Sequence, residues 1–138
     1  MLTRFVPRAL AALLVCCAVL VAGCSSDGGG KRAEGTASVS TPVWADGMAT
    51  VPVDRLPAEA RRTLRLIDDG GPFPYAKDGS VFGNFEGELP QQRRGHYLEY
   101  TVPTPGERDR GARRIVTGRG GETYYTDDHY ASFKAVLR

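Results

Sequence analysis

Cysteine is scarce in this 138-residue chain and confined to one end: Cys16, Cys17 and Cys24 are the only three. Everything after residue 24 therefore lacks the means to form a disulfide or a cysteine-based zinc site. No cofactor or metal is expected. Excess charge of one sign is missing too. The chain has 18 Lys+Arg against 16 Asp+Glu, and setting aside Arg4 and Arg8 at the extreme N-terminus leaves 16 of each. A general affinity for polyanions is excluded on that balance, so any hold on phosphate has to be local. A long apolar run is also absent: the uncharged stretch from Ala9 to Gly23 is too short to cross a bilayer comfortably.

What is present at the N-terminus fits export. Arg4 and Arg8 precede the apolar run, which ends in small residues, as in a secretory signal peptide (1–23). The Val21-Ala22-Gly23-Cys24 sequence resembles the bacterial lipoprotein signal, in which the cysteine becomes the lipidated first residue. Several acyl chains on Cys24 would bury enough CH₂ groups for stable membrane anchoring. Residues 24–49, rich in Gly, Ser and Thr without an apolar period, read as the lipidated cysteine and a flexible linker. Trp44 is the single large side chain there, and the expectation is that it caps the edge of the domain.

The domain is expected over 50–138. Pro57 opens a helical pattern in which Leu56, Ala60, Leu64 and Ile67 recur at steps of three and four, and Gly70-Gly71-Pro72 ends it. A loop-rich stretch follows, with a short strand at Ser80–Phe82. The Gly83-Asn84-Phe85-Glu86 loop after it suits backbone N–H groups aimed at a ligand. From His96 the period changes to two: Tyr97, Glu99 and Thr101 share one face, Leu98, Tyr100 and Val102 the other. Arg113–Thr117, Glu122–Thr126 and Ala131–Leu137 read as further strands, the first two joined by a turn at 118–121. One N-terminal helix packed on a small antiparallel sheet is an α+β class.

Glu99, Arg110, Arg114 and His129 are suited to cutting RNA without a metal. The neighbouring 2′-hydroxyl can attack the phosphate if a carboxylate takes its proton and an imidazolium protonates the leaving oxygen. Guanidinium groups fork onto phosphate oxygens as charge builds there. If residues 110–114 are extended, both arginines point to one face. Taken singly, each of the four reads first as an ordinary surface residue.

The motifs LPAEARRTLRLIDDGGPFPY, VFGNFE, YLEYTVPTPG, RGARRIVTG and YYTDDHYASF resemble, in this order, those of the small secreted guanyl-specific ribonucleases of the barnase-like bacterial group. The match runs from about Thr50 to Phe133. It implies Glu99 as general base, His129 as general acid, and Arg110 and Arg114 as the phosphate-binding cations. It implies Glu86 as the carboxylate accepting from guanine N1 and N2, Asn84 and its neighbours as backbone donors to O6, and Phe82 and Tyr130 as aromatics flanking the base. The reaction implied is transesterification to a 2′,3′-cyclic phosphate and hydrolysis to a 3′-phosphate, after guanosine in single-stranded RNA. A barstar-like inhibitor is a possible partner by the same resemblance, and a monomer is the default.

Three positions depart from the family pattern. Phe85 stands where an arginine is usual beside the base loop, and Gly83 replaces a polar residue. Asp127 stands where glycine is frequent, so a positive φ there would strain the turn before His129. The alternatives are a catalytically weak module on the same fold that binds RNA, nucleotides or a protein, and an exported toxin.

Overall fold

The computed structural model describes residues 40–138. Cys24, the expected signal segment and the first part of the expected linker lie outside the described residues.

The helix, α1 (Ala58–Asp69), begins where Pro57 fixes an extended residue and ends at Gly70, whose φ of 75° is the left-handed conformation that glycine adopts without penalty. There the Gly70 and Gly71 N–H groups donate to Ile67 and Leu66 carbonyls, which satisfies the last turn. Ala60, Thr63 and Leu64 form its buried stripe, and Leu56 joins them from just upstream. Burying Leu56 and Leu64 contributes on the order of 1.5–3 kcal/mol each. The Thr63 hydroxyl bonds back to the Glu59 carbonyl at 3.1 Å, so the one polar group on the stripe is satisfied.

Six strands follow the order β1-β6-β5-β4-β3-β2. They are β1 (Thr50–Pro52), β2 (Ser80–Val81), β3 (Tyr97–Thr101), β4 (Arg114–Gly118), β5 (Thr123–Thr126) and β6 (Lys134–Leu137). β2 to β6 pair antiparallel, as expected. β1 is an addition and makes the sheet mixed, because Thr50–Pro52 runs parallel to β6. Three residues are too few to show an alternating pattern, which is why the strand is not visible in the sequence.

The alternation along β3 sorts the two faces as predicted. Tyr100 and Val102 pack with Leu56, Leu64, Ile115 and Val136 under the helix. Tyr97 packs on the opposite face with Val116, Tyr124, Phe133 and Leu89. That second cluster also takes in Ala45, which is 0% exposed, and Trp44, whose ring meets Tyr124 edge-on at 5.3 Å. Trp44, Ala45 and Met48, in the stretch read above as linker, thus pack on the core and belong to the folded unit. Glu99 and Thr101 continue the Tyr97 face toward one end of the sheet, where the candidate site lies.

Candidate active site

Glu99 sits in the middle of β3, with its neighbours fixed by the pairing of Glu99 with Ser80 and with Val116. Its Oε2 accepts a 2.5 Å hydrogen bond from the Tyr130 hydroxyl. Its Oε1 has weaker company, the Ser80 hydroxyl at 3.4 Å and Arg110 Nη2 at 3.9 Å.

Arg114 opens β4 and is only 2% exposed. Its Nη1 donates to the carbonyls of Gly111 and Arg113 at 2.8 Å and of Arg110 at 3.3 Å, and its Nε donates to the Tyr130 hydroxyl at 3.1 Å. A buried guanidinium held in this way keeps its charge in place without a carboxylate on it. Nη2 alone is left without a protein partner among the described residues.

Arg110 reaches the same place by a different route from the one expected. Residues 110–113 are not extended: Gly111 has φ 56°, and a side chain there would meet the Thr104 hydroxyl at 2.5 Å. Strand parity therefore does not aim Arg110. Thr101 does, because its hydroxyl accepts from Arg110 Nε at 3.0 Å and Nη2 at 2.8 Å.

His129 is carried by the β5–β6 connection. The left-handed residues there are His129 (φ 57°) and Tyr130 (φ 73°), so the strain expected at Asp127 falls on the two site residues instead. A local network holds them. Thr126 Oγ1 donates to Asp128 Oδ1 at 2.8 Å and accepts from the Tyr130 N–H at 3.2 Å. Asp128 also accepts from the Ser132 hydroxyl at 2.5 Å and the Ser132 N–H at 2.9 Å. These bonds, the Ser132 hydroxyl first, hold the Asp128 carboxyl down at about 2. The His129 N–H donates to the Ala112 carbonyl at 3.2 Å, which ties this loop to the one bearing Arg110.

Tyr130, expected to flank the base, also makes polar contacts. Its hydroxyl links Arg114 to Glu99, and its ring stacks on Phe82 at 5.2 Å with 25° between planes. Burial and the bond to Glu99 push the hydroxyl above its ordinary range, so it keeps the proton it donates. This bridge and the Thr101 clasp on Arg110 have no signature as spacing. The local Thr126-x-Asp128-x₃-Ser132 pattern is the one part that a search for side-chain-bonded turns finds in the sequence.

The base loop lies beyond β2. Asn84, in a left-handed conformation (φ 49°), exchanges two bonds with Leu89: its Nδ2 donates to the carbonyl at 2.8 Å and its Oδ1 accepts from the N–H at 3.0 Å. The Asn84 side chain is spent on closing the loop, so only backbone groups there face outward. Gly87 N–H donates to the Asn84 carbonyl at 3.1 Å, which makes Phe85 and Glu86 the exposed centre of a turn. Phe85 is 94% exposed. Its ring lies over Gly83, where an added Cβ would come within 2.4 Å of it. The two departures in this loop are therefore one feature, since the ring occupies the space that a side chain at 83 would need. One cavity joins the two halves of the site, lined by Phe82, Phe85, Glu86, Glu99 and Tyr130 among others.

A helix on a sheet, with two arginines, a carboxylate and a histidine at one end, is an arrangement suited to cleaving a phosphodiester. The ribonuclease family model matches residues 39–137. The chain belongs to that family, in its microbial guanyl-specific branch. It is 54% identical over 91 residues to guanyl-specific ribonuclease St of Saccharopolyspora erythraea, covering 66% of this chain and 90% of that protein. It is 55% identical over 92 residues to guanyl-specific ribonuclease Sa of Kitasatospora aureofaciens, covering 66% of this chain and 96% of that one. Crystal structures of ribonuclease Sa2 superpose as well. The structure with guanosine-2′-cyclophosphate gives a TM-score of 0.62 at 50% identity, over 64% of this chain and 95% of that one.

Proposed function

We propose that the chain cuts single-stranded RNA after guanosine by metal-independent acid–base catalysis. Glu99 Oε1, the less engaged oxygen, takes the 2′-OH proton. The O2′–P bond forms as the P–O5′ bond breaks, and His129 protonates the departing O5′. Arg110 and Arg114 meet the phosphate oxygens, Arg114 through Nη2, as negative charge builds. The proton flow then reverses: His129 takes a proton from water, Glu99 returns one to O2′, and the cyclic phosphate opens to a 3′-phosphate.

What carries this reading is the Arg114–Tyr130–Glu99 chain, which links a cation, a retained proton and a carboxylate by hydrogen bonds with Arg110 beside them. The arginines supply the positive charge that a metal would otherwise bring. Glu86 would accept from guanine N1 and N2, while backbone N–H groups near Asn84 meet O6 and Phe82 and Phe85 cover the base. An unstacked base in single-stranded RNA offers that edge.

The proposed organisation is a signal peptide over 1–23, lipid on Cys24, a tether, and an extracellular domain held at the cell surface. A barstar-like inhibitor would protect the producing cell before export. For the anchor, Cys24→Ser should release activity into the medium. Activity that stays cell-bound would remove the lipid from the account.

The decisive assay is the full-length chain in mild detergent with GpC, ApC and UpC in EDTA. Rapid cleavage of GpC alone, through a cyclic phosphate, is expected. Equal cleavage of all three would remove the Glu86 pocket, and inertness of the folded protein would turn the reading to a binding module. A bell-shaped pH–rate profile follows from a carboxylate base and an imidazolium acid.

A further inference from the structure

A second cationic region lies at the end of the sheet away from the chemistry. The register pairs Thr101 with Arg114 and Arg114 with Thr126 at the catalytic end, and Tyr97 with Gly118 at the other. Roughly 13 Å of extended strand separates the two ends of β3. At the far end two turns are stapled together. The Arg119 N–H donates to the His96 carbonyl at 3.1 Å and its Nε to the Gly95 carbonyl at 2.9 Å.

Arg93, Arg94 and Arg119 line one cavity of about 450 Å³ there, with Gln92 and His96. Arg93 and Arg94 also line a second cavity, of about 260 Å³, whose other wall is Phe82, Gly83, Asn84 and Phe85. The groove is thus continuous with the base loop, and through Phe82, Gly83 and Phe85 with the cavity that holds Glu99. No carboxylate lines either of these two cavities, whereas Glu86 and Glu99 line one at the catalytic end and Glu107 and Asp109 the other. Glu122 lies against the same turns but is occupied, by His96 Nε2 at 3.1 Å and by the Gly120 N–H at 2.8 Å. None of the three arginines has an ion-pair partner among the described residues.

We propose that this groove is a phosphate-binding subsite for the RNA segment on the 5′ side of the recognised guanosine. The inference rests on the ribonuclease reading above. The 3′ nucleoside leaves past His129, at the opposite end of β3 to β5. The strand that enters across the base loop meets the arginine groove next, with the exposed Phe85 ring as a stacking wall between them. An acidic protein would also suit three guanidinium groups without ion-pair partners among the described residues. RNA is favoured because the groove opens into the base loop and shares its aromatic wall.

The test compares GpC, the 5′-extended ApApGpC and the 3′-extended GpCpApA at low salt, with the full-length chain and with the Arg93→Ala/Arg94→Ala variant. The 5′ extension should raise kcat/KM about tenfold, with the gain fading as salt rises. The variant should cleave GpC as before and lose the gain. Equal rates on GpC and ApApGpC, or a gain confined to GpCpApA, would overturn the subsite. Should GpC itself not be cut, the catalytic reading fails separately, and a labelled 2′-O-methyl ApApGpC, which has no 2′-OH to react, still reads the groove. Its Kd should weaken about tenfold in the variant, and an unchanged Kd would overturn the proposal. Displacement of that oligonucleotide by poly-glutamate at equal charge would assign the groove to an acidic protein instead.

Discussion

The catalytic end and the base loop are built on opposite plans. At the catalytic end every site side chain except His129 is tied: Arg114 by four bonds, Arg110 by Thr101, Glu99 and Arg114 to one another through Tyr130. In the base loop one side chain, Asn84, does the tying, while Phe85 and Glu86 stand at the exposed centre of a turn. Charge stabilisation in a transition state needs groups already in place, since reorganising them during the reaction cancels the gain. Recognition of a base tolerates adjustment. Both departures that sit in the base loop, Phe85 and Gly83, fall in the adaptable region.

The largest effect should come from the tied end. Glu99→Gln keeps the shape and removes the proposed base, so turnover of GpC should fall by about 10²–10⁴-fold. Near-UV circular dichroism should be unchanged, and wild-type turnover would sink the assignment. Arg114→Ala should break the contrast in stability as well. It leaves the Gly111 and Arg113 carbonyls without their donor in a partly buried place, at a cost of about 2–3 kcal/mol. Glu86→Ala, exposed and unbonded, should stay within about 0.5 kcal/mol. Urea unfolding of the two side by side checks this, and equal midpoints would erase the distinction between the two ends.

The elements that could be read in advance were those with a local cause. Pro57, the three-and-four spacing and Gly70 delimit α1, and the alternation of Tyr97 to Val102 assigns the faces of β3. The residue types of Glu99, Arg114 and His129 suit acid–base and phosphate chemistry once a fold gathers them, and it was the family motifs that singled them out. Features made by the register were hidden. Arg110 is aimed by Thr101, nine residues earlier, because β3 ends beside the loop that carries Arg110. The Tyr130 hydroxyl reaches Glu99 across 31 residues of sequence. Trp44 and Ala45 look like linker because a lone apolar pair has no period, and only the far face of the sheet gives them a partner.

Glu86→Gln sharpens the comparison from the recognition side. It should lower the rate on GpC by about 10–100-fold, as expected for losing a charged acceptor, and leave ApC unchanged. A matched loss on ApC would place Glu86 in catalysis instead. A smaller effect is expected one residue away. Gly83→Ala puts a methyl group where the Phe85 ring lies, so the ring must move. KM for GpC should rise about threefold, and the same substitution in a Phe85→Ala background should do nothing. Additive effects would show that the glycine and the ring are independent.

The smallest effect tests whether the tied end is tied everywhere. His129 has no side-chain hydrogen bond among the described residues, and its position depends on the Asp128 network one residue away. Asp128 has a depressed carboxyl, about 2 in the folded state against an ordinary 3.8. The sign follows from linkage: the network contributes fully above about pH 4 and is lost as pH falls through about 2. Asp128→Asn should therefore flatten the stability curve between those values while leaving the rest of the acid transition in place. At neutral pH it should lower kcat a fewfold with little change in KM, because Asp128 positions His129 and does not touch the base. If the acid limb of stability is the same in both proteins, the carboxylate charge does not hold the loop, and the left-handed turn at 129–130 rests on the Thr126 bond to the Tyr130 N–H and on the packing of Tyr130 on Phe82.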